Sequence, residues 1–203
     1  MGLIVGINGL TGCVELPANR LPFYHTPDFT PVWKVQDDTI HAIAPFSFTD
    51  QSGNTTGSEW VKGKVHVANF FFTSCAGICP KMTSNLKLVA DTFAKNNTVK
   101  ILSFSVTPQR DSVPELMRYA KGNHIDARQW RLLTGNKNDI YRIARQSYFA
   151  EEEPGFSKDS SEFLHTEHVI LVDQKGHIRG VYNGTVVLEM VKLTEDIKVL
   201  LKQ

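Results

Sequence analysis

From residue 64 onward the chain alternates between short apolar runs and longer amphipathic stretches. "KVHVANFFFT" (64–73) is β-branched and aromatic with almost no polar break, the pattern of a strand covered on both faces. Met82, Leu86, Val89 and Phe93 then recur at spacings of four, three and four, which predicts a helix with one apolar face. Pro80 suits the first turn of that helix, where a missing N–H costs no helical bond. The plan repeats. "VKILSFSV" (99–106) reads as a strand and "SVPELMRYAKGNH" (112–124) as a helix ending near Gly122. "WRLLTG" follows as a short strand, then "NKNDIYRIARQSYF" as a helix capped by Asn136. "AEEEPGFSKDSSEF" is polar and aperiodic, a loop. "TEHVILVD" and "HIRGVYN" flank Gln174-Lys175-Gly176 as a hairpin, and the last eighteen residues form an amphipathic helix. Upstream, Phe46 and Phe48 alternate with polar residues before the turn-rich Asp50–Asn54, which predicts one further strand.

Strand–helix units followed by a hairpin and a helix predict an α/β fold, a mixed sheet with helices on both faces. No internal repeat or second domain is visible, so residues 41–203 are expected to form one domain. Residues 14–40, rich in proline, read as a tether and extended lead-in. A formal net charge of +1 gives no electrostatic reason to expect nucleic acid. No apolar run approaches the roughly 20 residues of a membrane-spanning helix. Three cysteines are too few for a disulfide-built scaffold, so the core must come from ordinary packing.

Two of those cysteines, Cys75 and Cys79, sit in "FFFTSCAGICPKM" (70–82), at the carboxyl end of the predicted central strand. Open α/β sheets place their chemistry there. On a helix, positions i and i+4 share a face, so the two sulfurs are expected to converge. A helix N-terminus favours thiolate over thiol. A disulfide staple, a redox centre and part of a soft-metal site all fit such a pair. Two thiolates are soft donors that favour Cu(I) or zinc over hard cations. Closed zinc sites usually want four ligands, and neither a second cysteine pair nor an HxxxH accompanies this turn.

The turn, a Cys-three-residues-Cys-Pro after an aromatic strand, resembles the signature of the Sco/SenC family of copper proteins. "GKVHVANFFFTSC" is similar to that family's entry strand, "ILSFSVTPQRDSVPELMRYA" to its second strand and helix, and "LHTEHVILVDQKGHIRGVYNGT" to its His-bearing hairpin. The resemblance spans residues 43–202 and implies a thioredoxin-like fold. It also implies a copper site, Cu(I) or Cu(II), in which Cys75 and Cys79 are joined by the histidine eleven residues before the turn glycine: His165, counting to Gly176. One departure stands out. The family usually reads Asp-Pro after the second strand, near the metal loop, whereas this chain has Thr107-Pro108 and keeps only Arg110-Asp111.

Of the other histidines, His25 falls in the lead-in, His124 ends a helix and His177 follows the hairpin turn. His66 lies within a strand and reads as packed or surface. His168 is committed by strand alternation to the face carrying Thr166, Ile170 and Val172. The function implied is a copper metallochaperone for the dinuclear copper centre of cytochrome c oxidase, with the oxidase's copper-bearing subunit as partner. The alternative is a thiol–disulfide oxidoreductase using Cys75 and Cys79 as a redox-active pair that keeps oxidase cysteines reduced. Where such enzymes generally carry a cis-proline, this chain reads Phe163-Leu164-His165-Thr166, which favours binding over turnover. A peroxidase is disfavoured, because the usual Thr-x-x-Cys turn is absent. Finally, Leu10-Thr11-Gly12-Cys13 resembles a bacterial lipobox, although no Lys or Arg precedes it. It implies lipidation at Cys13 and a membrane-anchored protein of the bacterial envelope, facing the periplasm.

Overall fold

The computed structural model describes residues 20–34, 40–151, 164 and 166–203. Among these residues, seven strands form one sheet: β1 (Ser47–Asp50), β2 (Thr55–Gly57), β3 (Val65–Phe71), β4 (Val99–Ser105), β5 (Trp130–Thr134), β6 (His168–Val172) and β7 (Ile178–Asn183). Their spatial order is β2-β1-β5-β4-β3-β6-β7. β3, β4 and β5 run parallel, while β1 joins β5, and β6 joins β3, in antiparallel fashion. Among the described residues, four α-helices pack on the sheet: α1 (Ile78–Thr92), α2 (Val113–Gly122), α3 (Lys137–Arg142) and α4 (Val187–Leu200).

β3 and β4 are buried at every position, which is why their sequences lack alternation: both faces of these strands are covered. Val65, Val67 and Phe71 point into a core with Met82, Leu86 and Val89 of α1, Leu116 of α2 and Leu193 and Ile197 of α4. Ala68 and Phe70 point the other way, into a second core with Ile140 and Tyr141 of α3. The sheet is thus wrapped on both faces, in the thioredoxin-like arrangement. The four predicted α1 positions, Met82, Leu86, Val89 and Phe93, are all buried.

Local signals work as their chemistry requires. The Asn136 side chain accepts the amides of Asn138 and Asp139 and starts α3. After Arg142 the helix widens into a π-turn, Ile143–Ser147, so the regular part of α3 is shorter than the periodicity predicts. At the β6–β7 hairpin, Asp173 Oδ1 accepts the amides of Lys175 and His177, and Gly176 takes a φ of 90° that a side chain would oppose. The lead-in from residue 20 packs on the hairpin edge. Tyr24 bridges to Ile178, and the Arg179 guanidinium donates to the carbonyls of Leu21 and Pro22. Among the described residues, no helix is long and apolar enough to cross a membrane.

Candidate metal and thiol site

The site grows from the exits of two parallel strands. Phe71 of β3 lies opposite Ser105 of β4, and the Val106 amide continues the ladder by donating to the Phe71 carbonyl at 2.9 Å. The two loops that follow, 72–77 and 106–112, are therefore neighbours. β6 runs antiparallel to β3, with Asn69 opposite Val169. The start of β6 consequently lies at the same end of the sheet as the cysteine turn.

The helix does not bring the sulfurs together in the expected way. α1 begins at Ile78, so Cys79 is in its first turn but Cys75 is in the preceding loop, and no helical i, i+4 relation joins them. A folded-back turn does the work instead. Its hydrogen bond from Cys75 N to the Phe72 carbonyl is 3.3 Å, and a Cβ on Gly77 would stand 4.0 Å from Cys75 Sγ. Gly77 caps α1 without a side-chain bond, which leaves first-turn amides free for another acceptor. Cys75 is that acceptor. Its partial burial opposes ionisation, but donation from the Cys79 amide, the Cys79 thiol and the amides of Gly77 and Ile78 outweighs this, and its pKa falls below the ordinary thiol value. Cys79, 3% exposed, is pushed up to about 12, chiefly by burial. The Phe72 amide opposes that rise, while the Cys75 sulfur, to which its thiol donates, and Asp111 add to it. One sulfur is a half-buried acceptor whose ionisation the turn favours, and the other is its buried proton donor. Both are free thiols.

Asp111 is the polar hub behind the turn. It is fully buried, and its carboxylate accepts Thr73 Oγ1 at 2.6 Å, Ser105 Oγ at 2.5 Å, Thr107 Oγ1 at 3.0 Å and the Thr73 amide at 3.3 Å. Thr73 and Asp111 are 38 residues apart in sequence, and the parallel β3–β4 pairing brings them into contact. Thr107, the departure from the family pattern, donates a hydroxyl into this hub where an aspartate would bring a second negative charge. Tyr119 of α2 closes the other side. Its ring lies 5.4 Å from that of Phe71, and its hydroxyl shares a 2.8 Å hydrogen bond with Thr83. Burial raises the pKa of this phenol, and the charges of Cys79, Cys75 and Asp111 add to the shift. Sequence reasoning singled out neither Thr73 nor Tyr119, because nothing local marks a threonine or tyrosine as a neighbour of a distant loop.

Cys75 and Cys79 are thus brought together, whereas His165 and Cys13 lie outside the described residues. Among the described residues, no group of three or more His, Cys, Asp or Glu is assembled as a metal cluster. His168 lies on the sheet face of Ile170 and Val172, opposite the cysteine face of Val169 and Leu171, and its ring meets Phe29 edge-on at 5.5 Å. His66 is buried against Tyr148, and His177 lies 3.5 Å from Asp173 and edge-on to Phe23.

A family model described as SCO1/SenC matches residues 34–202. The chain belongs to the SCO1/SenC family. A SCO1/SenC family lipoprotein from Bacillus anthracis superposes with a TM-score of 0.69 at 29% identity, covering 80% of this chain and 96% of that one. BsSco, described as a member of the Sco family of cytochrome c oxidase assembly proteins with a disulfide switch, gives a TM-score of 0.66 at 30% identity over 82% and 96% of the two chains. ScoI of Bradyrhizobium japonicum, solved with copper bound, gives 0.61 at 26% identity over 78% and 99%. The membership accounts for the thioredoxin-like sheet.

Proposed function

We propose that this Sco protein is a copper metallochaperone that carries copper on Cys75, Cys79 and His165 toward the dinuclear centre of cytochrome c oxidase. The observation that carries the reading is the convergence of two free thiols on one turn, in a fold shared with a copper-bound relative. The donor set fits the cargo. Thiolate sulfur is soft and suits Cu(I), and an imidazole adds the donor that Cu(II) favours. The chain's own task is to supply the sulfurs in the right protonation state. Cys75 is predisposed to be a thiolate, while Cys79 must shed its proton for metal to bind, so loading releases protons. Lipidation at Cys13, a reading that the lipoprotein relative from B. anthracis supports, would hold the protein at the envelope membrane, where its place in this reading is facing the periplasm.

The asymmetry of the two sulfurs favours a second role for the same pair, thiol–disulfide exchange. The Cys75 thiolate attacks a partner disulfide, forming a mixed disulfide and releasing one partner thiol. Cys79, once deprotonated, displaces the second partner thiol, which leaves a Cys75–Cys79 disulfide and a reduced partner. This exchange removes both sulfur ligands and so excludes copper.

Anaerobic titration of the reduced protein against a Cu(I) chelator separates the two. One Cu(I) per chain, lost in Cys75→Ser and Cys79→Ser, is expected. Stoichiometry near zero in the wild type would leave only the exchange reading. His165→Ala should remove Cu(II) binding and its thiolate charge-transfer absorption, while His168→Ala, on the opposite sheet face, should keep both. The reverse result would overturn the ligand assignment.

A further inference from the structure

The end of the sheet opposite the cysteine turn is formed by the starts of β3 and β4 and by the β6–β7 hairpin, against which the lead-in and the end of α4 pack. A cleft of about 900 Å³ opens there between the lead-in and the hairpin. Arg20, Phe23, Trp33 and Lys34 line it from the lead-in, and Lys175 and Arg179 from the hairpin. The buried Arg179 guanidinium builds the wall, 4.0 Å from the centre of the Phe23 ring and paired with Asp173 at 2.9 Å. Among the described residues, Asp173 is the one carboxylate side chain in the lining, and Arg179 already neutralises it. Arg20, Lys34 and Lys175 are exposed and have no ion-pair partner among the described residues.

The excess of positive charge extends beyond the cleft. Lys64 precedes β3, Lys95 lies in the loop between α1 and β4, and Lys202 follows α4, whose Leu200 carbonyl accepts the Gln174 side chain of the hairpin. These three also lack an ion-pair partner among the described residues. The whole chain carries a formal charge of only +1, so six uncompensated cations at one end result from placement and not from composition. They repel one another, and an anionic surface relieves that repulsion. Trp33, 40% exposed beside Lys34, adds a second kind of contact. An indole has an apolar ring and a polar N–H, which suits the boundary between lipid headgroups and acyl chains.

We propose that this end of the domain is a docking face for an anionic lipid bilayer, with lipid phosphate in the cleft and Trp33 in the headgroup layer. Cations spread over the lead-in, the hairpin, two strand entries and a helix end match the many charges of a surface better than one small anion. The lead-in reaches this face at Arg20, seven residues after Cys13. A lipid on Cys13 would therefore leave at most about 25 Å of chain between face and bilayer. The seven residues of β3 separate this end from the cysteine turn by roughly 20 Å. Docking thus holds Cys75 and Cys79 away from the membrane and open to a partner.

The test uses the full chain without an acyl group, so that only the protein surface is read. It is sedimented with vesicles of phosphatidylcholine, with and without about one-third phosphatidylglycerol. Binding is expected to the anionic vesicles alone, weakening as salt is raised. Each cation at such a surface contributes about fivefold in affinity, so Arg20→Gln, Lys34→Gln and Lys175→Gln combined should lose about 100-fold. Lys81→Gln, Lys137→Gln and Lys192→Gln combined remove the same charge from the starts of α1 and α3 and from the middle of α4, and should bind as wild type. Circular dichroism should match wild type for both variants. Equal losses in the two would make net charge the cause and overturn the proposal. Brominated lipid should quench part of the tryptophan fluorescence, and Trp33→Phe should lack that part; unchanged quenching in Trp33→Phe would overturn the placement of the face. Labelling of Cys75 by a charged maleimide, read at its own peptide, should keep its rate on vesicle-bound protein, and a tenfold fall would overturn the orientation. Failure of the wild type to bind anionic vesicles overturns the proposal outright, including the case in which it binds inorganic phosphate or polyglutamate instead.

Discussion

His66 offers a quantitative test of the core. It sits in β3, 2% exposed, with Nε2 at 3.1 Å from the Tyr148 hydroxyl and Nδ1 buried without a hydrogen-bond partner. The neutral ring shares one hydrogen bond with the Tyr148 hydroxyl in either tautomer. Protonating the ring would bury a charge. Burial therefore lowers the His66 pKa from 6.5 to about 3, with Asp173 offsetting only part of the effect. The unfolded chain takes up a proton below about pH 6.5 and the folded chain does not. The stabilisation is thus complete above pH 6.5, shrinks as the pH falls, and is exhausted near pH 3. At about two pH units below 6.5 the loss from this one residue is about 3 kcal/mol. With a urea slope of about 2 kcal/mol per molar, the unfolding midpoint should drop by roughly 1.5 M between pH 8 and pH 4.5 from this source. Urea denaturation of the reduced, metal-free protein across that range, for wild type and His66→Gln, isolates it. Carboxylates contribute equally to both proteins, and the difference of slopes belongs to His66. Parallel slopes in the two proteins would refute the argument, because they would mean that His66 is not the neutral buried group described here.

Two further outcomes follow from the cysteine turn. At neutral pH iodoacetamide should modify Cys75 faster than Cys79 by about tenfold or more, since Cys75 is the accessible, lower-pKa sulfur and Cys79 is buried with its pKa raised; peptide mass spectrometry against time reads the order, and equal rates would contradict it. Asp111→Asn replaces an acceptor of four donor groups by a side chain with its own N–H to place, and should cost about 2–3 kcal/mol in chemical denaturation. A loss below about 0.5 kcal/mol would mean that the hub does not hold the turn.

The elements of this protein are local facts. Periodicity carried the α1 stripe of Met82, Leu86, Val89 and Phe93, the unbroken apolar β3 and β4, the Asn136 cap and the Gly176 hairpin, because each depends on residues within one or two turns of each other. The spacing of Cys75 and Cys79, and the motifs around them, were enough to point to the SCO1/SenC family that residues 34–202 match. Spacing also suggested a helical i, i+4 pair, and there it misled. The helix starts only at Ile78, because Gly77 leaves its first amides uncapped and the Cys75 sulfur takes them from outside. That difference makes one sulfur a predisposed anion and the other a proton donor, an asymmetry invisible in two identical letters. The hub and the hydrogen bonds of the Tyr141 hydroxyl, to the Val106 carbonyl and from the Leu164 amide, needed tertiary structure outright. Thr73 meets Asp111, and Val106 meets Tyr141 and through it Leu164, only because parallel strands β3 and β4 end side by side with α3 packed beneath. Hydrogen-bond partners across 23 to 38 residues are chosen by strand register and helix packing. No local pattern encodes that choice, since the same threonine, aspartate and tyrosine would be ordinary surface residues under another pairing of the strands.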